Sequence, residues 1–174
     1  MAEKKSQSSS AVGYTGKVTV RVVGTKNKLK KQYKLKNMGY QPLFEYLSSC
    51  LLGNVDSAMC PIYAVAYNVT GDESNLNSAT AISSRPVIKS SGVQTSQNTA
   101  ELTFAFPNTI LASNAGKINC FALYCSQYYT TFNTDNKKPS AVVMLSGSES
   151  IEVQSGENLV VVWDLSVENQ NEQN

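Results

Sequence analysis

Apolar and polar residues alternate along two neighbouring stretches near the start of the chain, as they do in strands with one buried face. The segment Gly24–Asn27 between the stretches is typical of a turn. The predicted inner face carries Val18, Val20, Val22, Leu29, Tyr33 and Leu35. The predicted outer face of the return strand carries Lys28, Lys30, Lys34 and Lys36. The pattern therefore predicts a β-hairpin with one face covered by lysines.

Five further strands are predicted at spacings typical of β-sandwiches, over residues 61–68, 85–89, 101–106, 117–126 and 158–168. The strand 117–126 is apolar on both faces, so we expect it at the centre of a sheet covered on both sides. Pro86 places the strand 85–89 at an edge. In the last strand the inner face centres on Trp163. The Ser- and Asn-rich segments 72–84, 90–100, 126–138 and 146–157 are predicted loops.

One segment has the spacing of a helix. Four apolar residues recur at intervals of three and four, namely Leu43, Phe44, Leu47 and Leu51. Pro42 suits the first turn of a helix and Gly53 suits its C-terminal cap. We predict a short helix over about residues 41–52 that packs against one end or edge of the sandwich.

The predicted fold is all-β, a single antiparallel β-sandwich or jelly-roll domain with this one short helix. A chain of 174 residues can close one hydrophobic core, which favours one domain over two. We assign residues 13–168 to the domain, 1–12 to a flexible polar arm and 169–174 to a polar tail. No apolar run is long enough for a membrane span, and residues 1–10 lack the apolar core of a signal peptide, so we expect a soluble chain.

The net charge of +2 conceals a division along the chain. Residues 1–38 carry ten basic side chains and one acidic one, a balance of +9, whereas the remaining residues have a balance of −7. Such asymmetry indicates either a polyanionic partner or the docking of one copy's basic face on another copy's acidic face.

The residues of common catalytic and metal sites are scarce. The chain has no histidine, which excludes Ser-His-Asp and Cys-His relays and histidine-bearing zinc sites. We expect the thiols of Cys50, Cys60, Cys120 and Cys125 to be reduced. Alternation places the Cys120 and Cys125 sulfurs on opposite faces of one strand. Carboxylate pairs such as Asp72 with Glu73, and Glu149 with Glu152, fall in polar loops. The sequence therefore predicts no enzyme activity, no metal and no cofactor.

The basic arm and hairpin form the strongest candidate site. Its basic residues are Lys4, Lys5, Lys17, Arg21, Lys28, Lys30, Lys34 and Lys36. They have three interpretations: a solvated edge that blocks unwanted strand pairing, a surface that docks on an acidic neighbour in an assembly, or a nucleic-acid contact. The scarcity of arginine weighs against the last, because phosphate recognition favours that residue.

Three segments resemble parts of small structural proteins from tailed-bacteriophage virions: Asn37 to Asn54, Ile118 to Cys125, and Gly156 to Val167. In those proteins a polar arm, one short helix and a closing strand of the form Leu-x-Val-x-Trp-x-Leu are familiar, and here Leu159 to Leu165 has that form. The resemblance implies a β-sandwich or jelly-roll subunit that is present in many copies on a capsid or a tail.

The expectation is thus a virion structural protein, assembled in the host cytoplasm, most consistent with an auxiliary or minor capsid subunit. Its partners would be other virion proteins and copies of itself, with nucleic acid less favoured and no membrane. One alternative is a carbohydrate-binding adhesin module of a tail or fibre, whose candidate glycan contacts are Tyr128, Tyr129, Asn133 and Asp135. Another is a small coat protein whose basic arm contacts packaged nucleic acid.

Overall fold

The fold is a pair of antiparallel β-sheets that enclose a common core. The computed structural model describes residues 12–39, 53, 60–83, 86–96, 99–111, 117–125 and 139–169. These residues include ten strands with almost no helix, which confirms the predicted all-β sandwich. The predicted helix over residues 41–52 lies outside the described residues. The jelly-roll form and the boundaries of the arm, domain and tail stay predictions.

The strands are β1 (Val12–Val23), β2 (Leu29–Gly39), β3 (Pro61–Asn68), β4 (Thr80–Ala81), β5 (Val87–Ile88), β6 (Ser91–Ser96), β7 (Thr99–Phe106), β8 (Cys120–Cys125), β9 (Ala141–Met144) and β10 (Asn158–Asn169). Sheet A has the order β2-β1-β10-β7-β6. Sheet B has the order β4-β3-β8-β9-β2, and β5 also pairs with β3.

The two sheets are joined along both sides. Most of β2 pairs with β1 in sheet A, but Met38 and Gly39 at its end pair with β9 in sheet B. On the other side β5 pairs with β3 in sheet B, and the next strand along the chain, β6, pairs with β7 in sheet A. The Lys89 N–H donates to the Ile62 carbonyl in sheet B, and the next N–H, of Ser90, donates to the Thr103 carbonyl in sheet A. These crossings fix the position of one sheet relative to the other.

The core between the sheets is built from the inward residues of the predicted strands. Val18, Val20, Leu159, Val161 and Trp163 are fully buried there, as the alternation predicts. The rings of Phe106 in sheet A and Phe121 in sheet B meet edge to face, with centroids 6.1 Å apart. Burial of apolar area of this kind is the dominant favourable term in folding.

Strand β8 confirms the prediction of a strand covered on both sides. It lies between β3 and β9, and all six of its residues are buried. Phe121 and Leu123 face the core between the sheets, whereas Cys120, Ala122 and Tyr124 belong to a second apolar cluster on the other face of sheet B. Leu76, from the 3-10 helical turn Glu73–Ser78, packs in that second cluster. Sheet B is therefore buried on both faces along β8.

The β1–β2 hairpin is confirmed, but the predicted position of Leu29 is wrong. Leu29 is 52% exposed and pairs with Val23, so it lies on the outer face. The cause is a β-bulge, since Val22 pairs with Lys31 while Val23 pairs with Leu29, leaving Lys30 as the extra residue. One extra residue reverses the alternation of faces on the far side of the bulge. Tyr33 and Leu35, which follow the bulge in the chain and keep the predicted alternation, pack against the core as predicted.

Three strands differ from the sequence-based prediction, and the first, β4 (Thr80–Ala81), lies in the predicted loop 72–84. Ser91–Ser96 was expected in a loop, yet it forms β6 at the edge of sheet A, with all six residues exposed. An edge strand that is exposed on both faces shows no alternation of apolar and polar residues, so its sequence does not indicate a strand. Strand β9, Ala141–Met144, has no counterpart among the predicted strands because its four residues are too few to show a period. The short β5 pairs only with β3 among the described strands, as the edge position predicted from Pro86 requires.

Candidate docking surface

The outer face of sheet A is built by the residues that alternate with the core positions of β2, β1, β10 and β7. Because strand pairing places directly opposed residues on the same face, the register assigns each residue to a row that crosses the sheet. One row joins Lys36, Lys17, Asp164 and Glu101, in strand order β2, β1, β10 and β7. The next row joins Lys34, Thr19, Val162 and Thr103. The third joins Gln32, Arg21, Val160 and Ala105.

Strands β1 and β2 form the basic half of this face. Its four cations are Lys17, Arg21, Lys34 and Lys36, and all four side chains are exposed. Lys17 and Lys36 oppose each other directly across the two strands. A like-charge pair in that position destabilises a sheet, by an amount on the order of 0.2–1 kcal/mol. We call the set of four the basic quartet.

Strands β10 and β7 provide the acidic half of the same face. Asp164 on β10 opposes Glu101 on β7, and both side chains are half-buried. This is a second like-charge pair beside the first. The aliphatic side chains of Val160 and Val162 lie on β10 in the two neighbouring rows, and Val162 is only 7% exposed. The outer face of sheet A is therefore divided between a basic side and an acidic side.

The charges of this face form no ion pair of their own. Within the part of the chain that the structure describes, one Lys–carboxylate pair approaches within 4.0 Å, and it joins Lys30 to Glu157. Lys17 and Asp164 are cross-strand neighbours but make no such contact. The basic quartet is consequently available to an external partner.

The Lys30–Glu157 pair holds the tip of the hairpin. Lys30 Nζ donates to Glu157 Oε1 at 2.6 Å, and Glu157 Oε2 accepts from the Gln154 N–H at 2.9 Å. The hydrogen bond from Lys30 is the main cause that lowers the pKa of the Glu157 carboxyl, and the Gln154 N–H adds to it. The Lys30 side chain is 52% exposed and that of Glu157 is 8% exposed. Lys30 is thus engaged within the chain, which separates it from the basic quartet.

The other predicted site residues fall into two groups. Lys28 is exposed in the turn before β2, beyond the bulge from Lys34 and Lys36. Lys4 and Lys5 lie outside the described residues, as do the candidate glycan contacts Tyr128, Tyr129, Asn133 and Asp135. The structure therefore brings together Lys17, Arg21, Lys34 and Lys36 and leaves the remaining candidates apart from them or undescribed.

Asp164 and Glu101 are the members of the face that sequence reasoning missed. Both lie on predicted strands, and Asp164 interrupts a run of aliphatic residues in β10. That interruption was the available signal, because a charge inside an apolar strand marks an outward position. Their juxtaposition with Lys17 and Lys36 required the register of four strands, which alternation alone does not give.

Two pairs of buried polar groups meet in or beside sheet B. The hydroxyl groups of Tyr67 and Tyr124 are hydrogen-bonded at 2.9 Å, and burial raises the pKa of both phenols far above the ordinary value. The Cys125 thiol lies 2.9 Å from the Ser140 hydroxyl. Cys120 and Cys125 are buried, and alternation along β8 places them on opposite faces, as predicted. Cys60 is half-buried, and Cys50 lies outside the described residues. Tyr67 and Tyr124 thus lie on paired strands within the second apolar cluster.

The exposed carboxylates that sequence reasoning considered lie on loops. Asp72 accepts hydrogen bonds from the Ser74 hydroxyl and N–H, which lower the pKa of its carboxyl and cap the turn that follows. Among the described residues, no group of three or more Cys, Asp or Glu side chains is arranged to hold a metal ion. A helix long and apolar enough to cross a membrane is likewise absent from that part of the chain.

No protein-family model, no curated protein and no solved structure matches this chain.

Proposed function

We propose that this chain is a non-enzymatic structural subunit of a virion, which docks on a neighbouring protein of the particle through the outer face of sheet A. The observation that supports the proposal is the basic quartet, Lys17, Arg21, Lys34 and Lys36, which is exposed on one sheet face and forms no ion pair with any of the described residues. Exposed charges of one sign steer association and fix the register of a docked partner.

The distribution of charge on this face favours a protein partner over nucleic acid. A groove that binds phosphates presents cations along the whole path of the backbone. Here the basic quartet is bordered by Asp164 and Glu101 in the same sheet face, and these carboxylates would repel phosphates. A protein surface can present both signs of charge, so it can match such a divided face.

The test is incorporation of a charge-reversed chain into particles. R21E/K34E/K36E and wild-type chains, each tagged, are produced in the host that forms the particles, and the purified particles are assayed for the tag. We expect the wild-type tag in the particles and at least a tenfold loss for the variant. The control is K89E/K117E, which reverses two exposed lysines outside this face and should be incorporated like the wild type.

Two results would contradict the proposal. One is normal incorporation of R21E/K34E/K36E. The other is absence of the wild-type chain from purified particles. If the purified chain instead bound double-stranded DNA with a steep dependence on salt, and lost that binding in the same variant, the coat-protein alternative would replace the docking proposal.

A further inference from the structure

We propose that the partner of this face is the same face of a second copy of the chain. This inference rests on the proposed docking function and specifies its partner. It follows from the row Lys36, Lys17, Asp164, Glu101, which carries two positive charges and then two negative charges in strand order. Such a row is complementary to itself when it is reversed.

A two-fold axis that runs parallel to the strands, between β1 and β10, produces that reversal. The axis places β1 of one copy over β10 of the other, and β2 over β7. Lys17 of each copy then faces Asp164 of the other, and Lys36 faces Glu101. All charges of the row are paired because a two-fold interface repeats every contact. Sheets stack at about 10 Å, a gap that a long lysine and a facing carboxylate can bridge.

The neighbouring rows are compatible with the same axis. Thr19 would face Val162 of the second copy, and Arg21 would face Val160. Lys34 would face Thr103, and Gln32 would face Ala105. None of these contacts opposes two like charges. The Lys17–Asp164 pairs lie next to the axis in the first row, and Val162 and Val160 of β10 lie next to it in the two neighbouring rows, so ionic and apolar contacts would share the centre of the interface.

The charge pattern also selects this orientation over the other two-fold stacking. An axis perpendicular to the strands would place β2 on β2 and β1 on β1, so that lysines would face lysines. Like-charge contacts of that kind cost several kcal/mol and reject the wrong orientation. The same logic explains the two like-charge pairs within one chain, since each is unfavourable alone and becomes favourable opposite the other.

Charge exchange between two variants tests the inference. In K17E/K36E the row is entirely acidic, and in E101K/D164K it is entirely basic. Each variant alone would stack like charges, and we expect its self-association to weaken by about a hundredfold or more. In an equal mixture every charge in the row meets an opposite one, so association should return to at least the wild-type strength.

The measurement is sedimentation velocity of the full-length chains at low and high salt. K89E/K117E serves as the control and should associate like the wild type. The inference is overturned if the wild-type chain does not self-associate, if either variant alone associates as the wild type does, or if the mixture does not recover. Recovery of the mixture excludes misfolding as the cause of the loss.

The same variants separate this inference from the docking function. If K17E/K36E is lost from particles while E101K/D164K is incorporated normally, the basic side docks on a different protein. The docking function then stands and the self-complementary interface is wrong. If both variants enter particles normally, the self-complementary interface is wrong, and the incorporation of R21E/K34E/K36E decides whether the docking function stands.

Discussion

Tyr67 and Tyr124 show how single residues are fixed inside sheet B. Their strands, β3 and β8, are paired, and their hydroxyl groups meet at 2.9 Å in an apolar cluster. A buried hydroxyl that loses its partner costs about 1–3 kcal/mol, whereas removal of both hydroxyls leaves neither group unsatisfied. The pair therefore stabilises the fold mainly because each phenol satisfies the other.

We predict that Y67F and Y124F each lower the free energy of unfolding by about 1–2 kcal/mol, and that the double variant loses less than the sum. Urea unfolding of the four chains gives the coupling free energy. Y33F is the matched control, because Tyr33 is only half-buried and faces the other core; it should have little effect. Strictly additive losses would show that the two hydroxyls do not stabilise each other.

The raised pKa values of this pair also set a dependence on pH. In the unfolded chain a tyrosine ionises near pH 10, but burial keeps both phenols protonated in the folded chain well above that. The unfolded state therefore gains stability as the pH rises above about 10, and the free energy of unfolding falls. The Y67F/Y124F chain should lose less stability over that range than the wild type, which is measurable in the same experiment.

At the scale of elements, the tip of the β1–β2 hairpin is held by a contact from outside the hairpin. The bulge at Lys30 directs this side chain to Glu157 in the turn before β10. Gly156 in that turn adopts φ +79°, where a side chain would be strained. The hairpin, the turn and the start of β10 are thus linked by one ion pair and one tight turn.

We predict that E157Q lowers the free energy of unfolding by about 1 kcal/mol at pH 7, because Lys30 is partly exposed and surface pairs contribute modestly. The folded pKa of Glu157 is lowered, so this contribution is present above the unfolded value near 4.3 and is lost as the pH falls through the folded value. Urea unfolding at pH 7 and at about pH 3 tests this.

E152Q is the control for that prediction, because Glu152 is an exposed carboxylate in the same loop region. It should leave the stability unchanged at both pH values. An equal loss for E157Q at both pH values, or an equal loss for E152Q at pH 7, would show that the ion pair does not hold the hairpin tip.

The elements that the sequence predicted well are those with an apolar period. β1, β8 and β10 are long or wholly apolar, and their burial follows the predicted faces. β6 was missed because an exposed edge strand has no buried face, and Leu29 was misplaced because a bulge leaves no mark in the alternation. The lysines of the candidate site were predicted, but their acidic neighbours depended on pairing between segments distant in sequence.

At the scale of the whole molecule, the division of charge along the sequence becomes a division across one sheet face. The basic N-terminal strands lie beside β10 and β7, so a chain with a net charge of +2 presents positive and negative sides on the same surface. The rest of the fold supports this face from behind, since the inward residues of the same strands form the common core. The sandwich thus supports the proposed docking surface from behind.

Lysine acetylation of assembled chains tests the docking surface most directly. The reagent is applied to particles or self-associated chains and, separately, to chains dissociated at high salt, and the extent of labelling is read by mass spectrometry. We predict that assembly protects Lys17, Lys34 and Lys36 several-fold, while the exposed Lys89 and Lys117 react equally in both states. Equal labelling of the three lysines in both states, or protection confined to Lys89 and Lys117, would contradict docking through the outer face of sheet A.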